Sequence, residues 1–238
     1  MANKKPGPGK DLTRAEWKKR YGSDTQYYTH LLNRVDLTTG KTIRSLREAS
    51  AKKHNLDPAF LASGLFTEGL DRYNVLADKY GSTKDDYYEY PISGMKHLGL
   101  DTVGNIKNDL FRKGYVDPKE YKENVREWKT ENEKDNVISG DFKRLDIAID
   151  YVAAFQRNEN DNIDKYLKEN DIELTPIQKT FFQNVAYNFG PGGVQQMIKS
   201  YNDKGFLKDN KFIYEKPNEF FKEPYTNAYK RTTAGIGL

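Results

Sequence analysis

Residues 182–197 read FQNVAYNFGPGGVQQM and contain the strongest constraint on the fold, a helix that ends and another that begins almost at once. Glycine just past the last helical residue, followed by proline, is the usual way to end a helix, so Gly190 and Pro191 predict a break. Helical spacing then resumes. The break accounts for those two residues, but it does not explain why Tyr187 and Asn188 occupy the last turn before it.

Helices are predicted over most of the chain, so the fold class is mainly α (α+β), with a small β-like insertion and extended tails. A sharp start signal stands at Asp57, the N-cap, and Pro58, the first helical position. Residues 81–105 are rich in Gly, Asp and Tyr and predict the insertion, as an irregular excursion or a short hairpin. The predicted helices are 24–32, 42–55, 58–70, 107–115, 118–131, 141–158, 161–170, 175–188 and 194–203.

The charge distribution separates the tails from the body. The net charge of +4 comes from residues 1–20 and 204–238, which are both basic, so the rest of the chain is net acidic. We expect a flexible basic tail at 1–20, one domain at 21–205 and an extended arm at 206–238. A nucleic-acid-binding core would carry its own basic stripe, so nucleic acid is not an expected partner. The tails would either attract an anionic polymer such as a bacterial wall or only aid solubility.

Several classes of chemistry are disfavoured by what the sequence lacks. The chain has no cysteine, which excludes disulfides and thiolate sites. His30, His54 and His97 do not have the spacing of zinc ligands, so neither a metal nor another cofactor is expected. The N-terminus lacks the apolar stretch of a signal peptide, and no run of about 18 apolar residues predicts a membrane helix. We therefore expect no membrane insertion.

Glu68 is the carboxylate that stands out from the helical pattern. On a helical wheel it falls at the edge of the apolar arc of the helix that starts at Pro58, not among the polar residues. Partial burial disfavours the charged form and raises the pKa of a carboxyl group, which suits a general acid. The alternatives are an ordinary surface glutamate, or a carboxylate kept ionised by Arg72. The apolar arc consists of Leu61, Ala62, Leu65 and Phe66.

Four segments in order resemble lytic transglycosylases and goose-type lysozymes. HNLDPAFLASGLFTEGL resembles the helix that carries their single essential glutamate, and VAYNFGPGGV resembles their AAYNAGPG signature, the most specific of the four. SGMKHLGLDTVGN resembles a glycine- and leucine-rich turn, with Ser93, Gly99 and Leu100 in register. LDIAIDYVAAFQRN resembles the helix before the final motif. The match spans residues 54–194 and implies a lysozyme-like helical domain with Glu68 as its catalytic residue.

The resemblance also implies a substrate and the roles of other residues. The substrate is peptidoglycan, cleaved at the β-1,4 bond between N-acetylmuramic acid and N-acetylglucosamine. Tyr187 would hydrogen-bond near Glu68 and orient it, and Asn188 would contact the glycan or brace the turn. Gly190 would let the backbone approach the glycan closely. A core tyrosine with a satisfied hydroxyl remains the alternative for Tyr187.

Two departures from the family pattern leave the subfamily open. Gly69 follows the glutamate where transglycosylases have serine, and Glu-Gly-Leu is what many phage-type lysozymes carry. The Met-Gln pair of the family is replaced by Asp101-Thr102, which adds a carboxylate. These departures also leave room for a non-catalytic wall-binding virion protein of lysozyme-like shape.

The second carboxylate decides between two mechanisms. In the transglycosylase version Glu68 alone acts as acid and then as base. In the hydrolytic version a carboxylate about 6.5–9.5 Å away positions water on the opposite face of the sugar. Asp101 is the first candidate for that carboxylate, and Asp86 and Glu89 are weaker ones.

The predicted insertion contains three neighbouring tyrosines. Tyr87, Tyr88 and Tyr90 would either stack on sugar rings or form the core of the insertion.

The lack of a signal peptide fits a phage-encoded protein, in a virion or in the host cytoplasm before release to the cell wall. Virion or lysis proteins are then further partners.

Overall fold

The computed structural model describes the protein over residues 38–67, 100–129 and 138–214, together with residues 19, 29, 32, 33, 35 and 36. These residues form two compact units. The first contains the described residues within Met1–Ser50 and Glu68–Tyr151, and the second those within Ala51–Thr67 and Val152–Leu238. The predicted divisions near residues 20 and 205 stay predictions.

Helices dominate the described residues, which confirms the mainly α prediction. The lysozyme-like assignment within that class stays a prediction. The elements are α1 (Ile43–Lys53), α2 (Pro58–Thr67), α3 (Leu100–Asn105), a π-helical turn (Ile106–Leu110), α4 (Pro118–Asn124), β1 (Val125–Lys129), β2 (Ile138–Phe142), α5 (Leu145–Glu169), α6 (Pro176–Asp203), a 3-10 turn (Phe206–Lys208) and α7 (Lys211–Tyr214).

A two-stranded antiparallel sheet in the first unit replaces part of a predicted helix. The helix predicted over 118–131 ends at Asn124, and β1 pairs with β2 so that Val125 lies opposite Phe142. Both side chains are buried. The second half of that prediction was wrong because strand formation depends on a distant partner and on burial, which a local helical pattern does not report.

The predicted insertion at 81–105 and the helix at 107–115 also need correction. Residues 100–105 are helical, as α3, and 81–99 lie outside the described residues. Residues 106–110 form a π-helical turn, and turns follow to residue 116. Ile106 and Leu110 are both fully buried, so this turn contributes two side chains to the core of the first unit.

One long helix, α5, replaces the two helices predicted at 141–158 and 161–170. Its residues up to Tyr151 belong to the first unit and those from Val152 to the second. The helix continues through the gap between the two predicted ranges, where Arg157 pairs with Asp161 one turn later, 2.9 Å apart. Pairs at this spacing support a helix, so a polar run need not end one.

The second unit is organised around α6. Its start is a capping box, in which Thr175 and Gln178 hydrogen-bond each other, and Pro176 is the first helical residue. This confirms the predicted start. The inner face of α6 is buried along its length, and α2 packs against it. The buried hydrophobic residues of α6 are Phe181, Phe182, Val185, Ala186, Val194, Met197, Ile198 and Tyr201.

Candidate functional site

The start of α2 has the geometry that the sequence predicts. The Oδ1 atom of Asp57 accepts a hydrogen bond from the Ala59 amide over 2.7 Å, and Pro58 is the first helical residue. Leu61 and Leu65 are fully buried. Phe60 and Ala62 are buried with them, and the side chain of Phe66 is not among those described. The apolar arc of α2 is therefore confirmed at positions 61, 62 and 65.

Most of the predicted site residues lie outside the described residues. α2 is described to Thr67, so the position of Glu68 and its predicted partial burial stay predictions. Asp101 is the second residue of α3, which packs against β2, but its side chain is not described. The other predicted site residues that fall outside are Ser93, Gly99, Tyr90, Tyr87, Tyr88, Asp86 and Glu89.

The break at Gly190 occurs where it was predicted, but it is only one residue wide. Gly190 has φ 69° and ψ 167°, which is not helical, whereas the backbone on both sides is, so two helices meet at this kink within α6, as predicted. Pro191 follows the kink, where its missing N–H costs no hydrogen bond at a helix start. A Cβ at Gly190 would meet no described atom within 4 Å. The positive φ, and not crowding, is therefore what requires glycine.

Tyr187 and Asn188 lie in helical conformation on the last turn before the kink. Tyr187 is half-buried, and it belongs to a stripe with Thr180 and Gln183, which are also half-buried. This i, i+3, i+7 spacing places the three side chains on one side of α6. The side chain of Asn188 is not described, so its predicted contact with the glycan stays a prediction.

A pocket of about 420 Å³ opens beside this stripe in the second unit. Three segments of the chain line it: the loop before α2 with the first turn of α2, the middle of α5, and the first turns of α6. No predicted site residue is among the described lining residues. These are Asn55, Leu56, Asp57, Ala59, Phe60, Asn160, Thr180 and Gln183.

The pocket was missed because its lining comes from distant segments. The available signals were the asparagine-rich run NENDN at 158–162 and the spacing of Thr180 and Gln183. Neither signal identifies its partners, because the loop before α2 is more than 100 residues away along the chain. Asn55 has a positive φ of 52°, which asparagine tolerates better than most residues.

A second polar cluster lies in the first unit. Lys107 of the π-helical turn forms an ion pair with Glu127 of β1, with 2.7 Å between Nζ and Oε1. The Tyr121 hydroxyl donates to the same oxygen over 2.7 Å. Burial, and then the hydrogen bond to Glu127, raise the pKa of Tyr121 far above its ordinary value. The phenol thus stays protonated and ties β1 to α4.

Tyr121 also stacks on Tyr151, with ring centroids 6.1 Å apart and planes 5° from parallel. Phe142 meets the Tyr151 ring edge-on at 5.1 Å. The Tyr151 hydroxyl is buried and has no hydrogen-bond partner in the described part of the chain. Burial raises its pKa as well, and nearby acidic groups add to the shift. This cluster stabilises the unit and contains none of the predicted site residues.

Over the described ranges, no group of three His, Asp or Glu side chains is placed to hold a metal ion. No helix there is both long and apolar enough to cross a bilayer. Comparisons with known protein families, with curated proteins and with solved structures find no match to this chain.

Proposed function

We propose that this protein is a peptidoglycan-cleaving enzyme that breaks the β-1,4 bond between N-acetylmuramic acid and N-acetylglucosamine. Glu68 is its general acid and base. The observation that supports this most is the packing of α2 against α6. α2 is described to Thr67, the residue before Glu68 in the sequence, and α6 carries Tyr187 and the kink at Gly190. The two helices that carry parts of the segments with the most informative resemblance to transglycosylases therefore pack together, although they are far apart in the chain.

Two local features also support the proposal. The Asp57-Pro58 start and the positive φ at Gly190 are both part of the resembling segments, and both occur in the structure. A chance match of apolar and glycine residues would require neither feature.

The proposed chemistry needs one carboxyl group. Glu68 donates its proton to the glycosidic oxygen as the bond between that oxygen and C1 of the muramic residue breaks. The acetamido oxygen of the same sugar stabilises the positive charge at C1. The Glu68 carboxylate then takes the proton of the muramic 6-hydroxyl, which attacks C1 and leaves a 1,6-anhydro end. Glu68 is protonated again at the end of the cycle.

The hydrolytic version is the alternative within the same proposal. A water molecule replaces the 6-hydroxyl, and a second carboxylate, with Asp101 as the first candidate, accepts its proton. The product then has a reducing end and is one water heavier. A non-catalytic wall-binding protein would release no fragments at all.

The test is the mass of the fragments released from purified peptidoglycan. The unmodified protein is expected to release 1,6-anhydro muropeptides, and Glu68→Gln is expected to release none while keeping the same circular dichroism spectrum. Glu173→Gln is the matched control, because Glu173 is exposed in the turn between α5 and α6. Undiminished release by Glu68→Gln, or no release by the unmodified protein, would refute the proposal.

The proposed activity also implies a substrate, a location and partners for the protein. Its substrate is the glycan strand of the bacterial wall, and the basic tails add attraction to that anionic polymer. A phage-encoded protein, held in a virion or in the host cytoplasm until release, fits this activity, with virion or lysis proteins as partners.

A further inference from the structure

We propose that the pocket at the start of α2 is a carbohydrate-binding site that holds one or two sugar residues of the glycan strand. Its volume of about 420 Å³ lies in the range of small-molecule sites, about 300–1,000 Å³. The identification of the sugar as a wall sugar rests on the proposed function. The carbohydrate character of the pocket rests on its own polar groups.

Two amide side chains of the lining are unpaired within the described part of the chain. The side-chain amides of Asn55 and Gln183 make no hydrogen bond to a described residue. Both amides can therefore donate to and accept from the hydroxyl groups of a ligand.

Two further oxygens can face a ligand. Asp57 uses Oδ1 to cap α2, which leaves Oδ2 available. The Thr180 hydroxyl donates to the Pro176 carbonyl over 3.0 Å, so its lone pairs remain as acceptors. The pocket therefore offers both donors and acceptors, as the vicinal hydroxyls and the acetamido group of an amino sugar require.

The charge of the pocket selects against anions. None of the described lining residues is Lys or Arg, and Asp57 contributes a negative charge. Phe60 and Leu56 add an apolar wall, which suits the apolar face of a pyranose ring. Together these groups match a neutral, polyhydroxylated ligand better than a phosphate or a carboxylate.

The pocket also lies near the segment that the proposed function uses. Gln183 and Tyr187 are one helical turn apart on the same side of α6, about 6 Å along its axis. A glycan bound at the pocket would therefore extend along α6 toward Tyr187. The pocket would hold sugars beyond the reacting bond and would strengthen binding without taking part in the chemistry.

The test is the affinity for the tetramer of β-1,4-linked N-acetylglucosamine, measured by calorimetry on the full chain. Glu68→Gln is the background, so that no cleavage disturbs the titration. Gln183→Leu and Thr180→Val are each expected to weaken binding about tenfold, because each removes a hydrogen bond to the sugar. Gln196→Leu, an exposed glutamine of α6 outside the described lining, is expected to change nothing.

The outcomes separate this proposal from the proposed function. Equal affinities for all three variants, or no binding to the Glu68→Gln background, would refute the carbohydrate site even if the unmodified protein cleaves peptidoglycan. Weaker binding by the pocket variants would support the site even if no cleavage is found. Should Thr180→Val fail to fold, the half-buried Gln183 still gives a decisive comparison.

Discussion

Thr175 and Gln178 hydrogen-bond each other at the start of α6. The Gln178 amide donates to the Thr175 hydroxyl over 3.3 Å, and the Thr175 amide donates to Gln178 Oε1 over 3.0 Å. Nε2 of Gln178 also donates to the carbonyls of Leu207 and Asp209, at 3.0 Å each. One buried side chain thus joins the start of α6 to the turn that follows its end.

Replacing Gln178 should therefore destabilise the second unit. Gln178→Ala removes the capping box and two hydrogen bonds to carbonyls, and we expect a loss of about 2–4 kcal/mol in the free energy of unfolding. Urea denaturation measures this loss. Gln196→Ala is the control, because Gln196 is exposed and its side chain makes no hydrogen bond to a described residue. A loss below about 1 kcal/mol for Gln178→Ala would contradict the assigned role.

The kink in α6 predicts opposite effects for two nearby glycines. Gly190→Ala places a residue with a Cβ atom at a backbone position with positive φ. This strain should lower the free energy of unfolding by about 1–2 kcal/mol. Gly192 has helical backbone and no described atom within 4 Å of its Cβ position, so Gly192→Ala should be neutral or stabilise by up to about 1 kcal/mol. Urea titrations of the two variants give the comparison. Equal effects would mean that the backbone at Gly190 is not constrained.

The tyrosine pair of the first unit predicts a loss of stability at high pH. Burial raises the pKa values of Tyr121 and Tyr151 in the folded state, so both stay protonated where an unfolded tyrosine ionises. Their contribution is complete below pH about 10 and is lost as the pH rises above it. We expect the free energy of unfolding to fall less between pH 9 and 11 in Tyr151→Phe than in the unmodified protein.

Chemical denaturation at each pH gives the slope of stability against pH for the variant and the unmodified protein. An identical slope in Tyr151→Phe and the unmodified protein would mean that the buried phenol does not govern the alkaline limit.

We expect Tyr187 to affect the catalytic rate and not the binding of the glycan substrate. If it orients Glu68, Tyr187→Phe should lower kcat about tenfold or more, leave KM nearly unchanged and shift the pH profile of kcat. Steady-state release of muropeptides measures all three. A merely structural tyrosine would instead lower the melting temperature and leave kcat per folded molecule and the pH profile unaltered.

Asp101 separates the two mechanisms. In the transglycosylase version Asp101→Asn keeps most of the activity and still gives 1,6-anhydro ends. In the hydrolytic version the same change should lower kcat by about 10²-fold or more, because the base that activates water is lost. Mass spectrometry of the fragments, together with the rate, distinguishes the two. Asp109→Asn, on the π-helical turn nearby, serves as the control.

The sequence by itself determined the features that depend on local backbone chemistry. The helix start at Asp57-Pro58, the start at Thr175-Pro176 and the break at Gly190 were predicted and are present. A cap, a proline and a positive φ act within a few residues, so their signals can be read locally. The resemblance adds a function for Glu68, and that function remains to be tested by the activity of its variants.

Only the tertiary structure decided the features that join distant segments. The pairing of β1 with β2, which replaced a predicted helix, depends on a partner strand. α5 continues through a polar run, where the ion pair between Arg157 and Asp161 and the packing of the helix stabilise it. The pocket combines Asn55, Asn160 and Gln183 from three separate segments. Contacts between residues far apart in the chain are set by packing in three dimensions, and local periodicity does not encode which segments will meet.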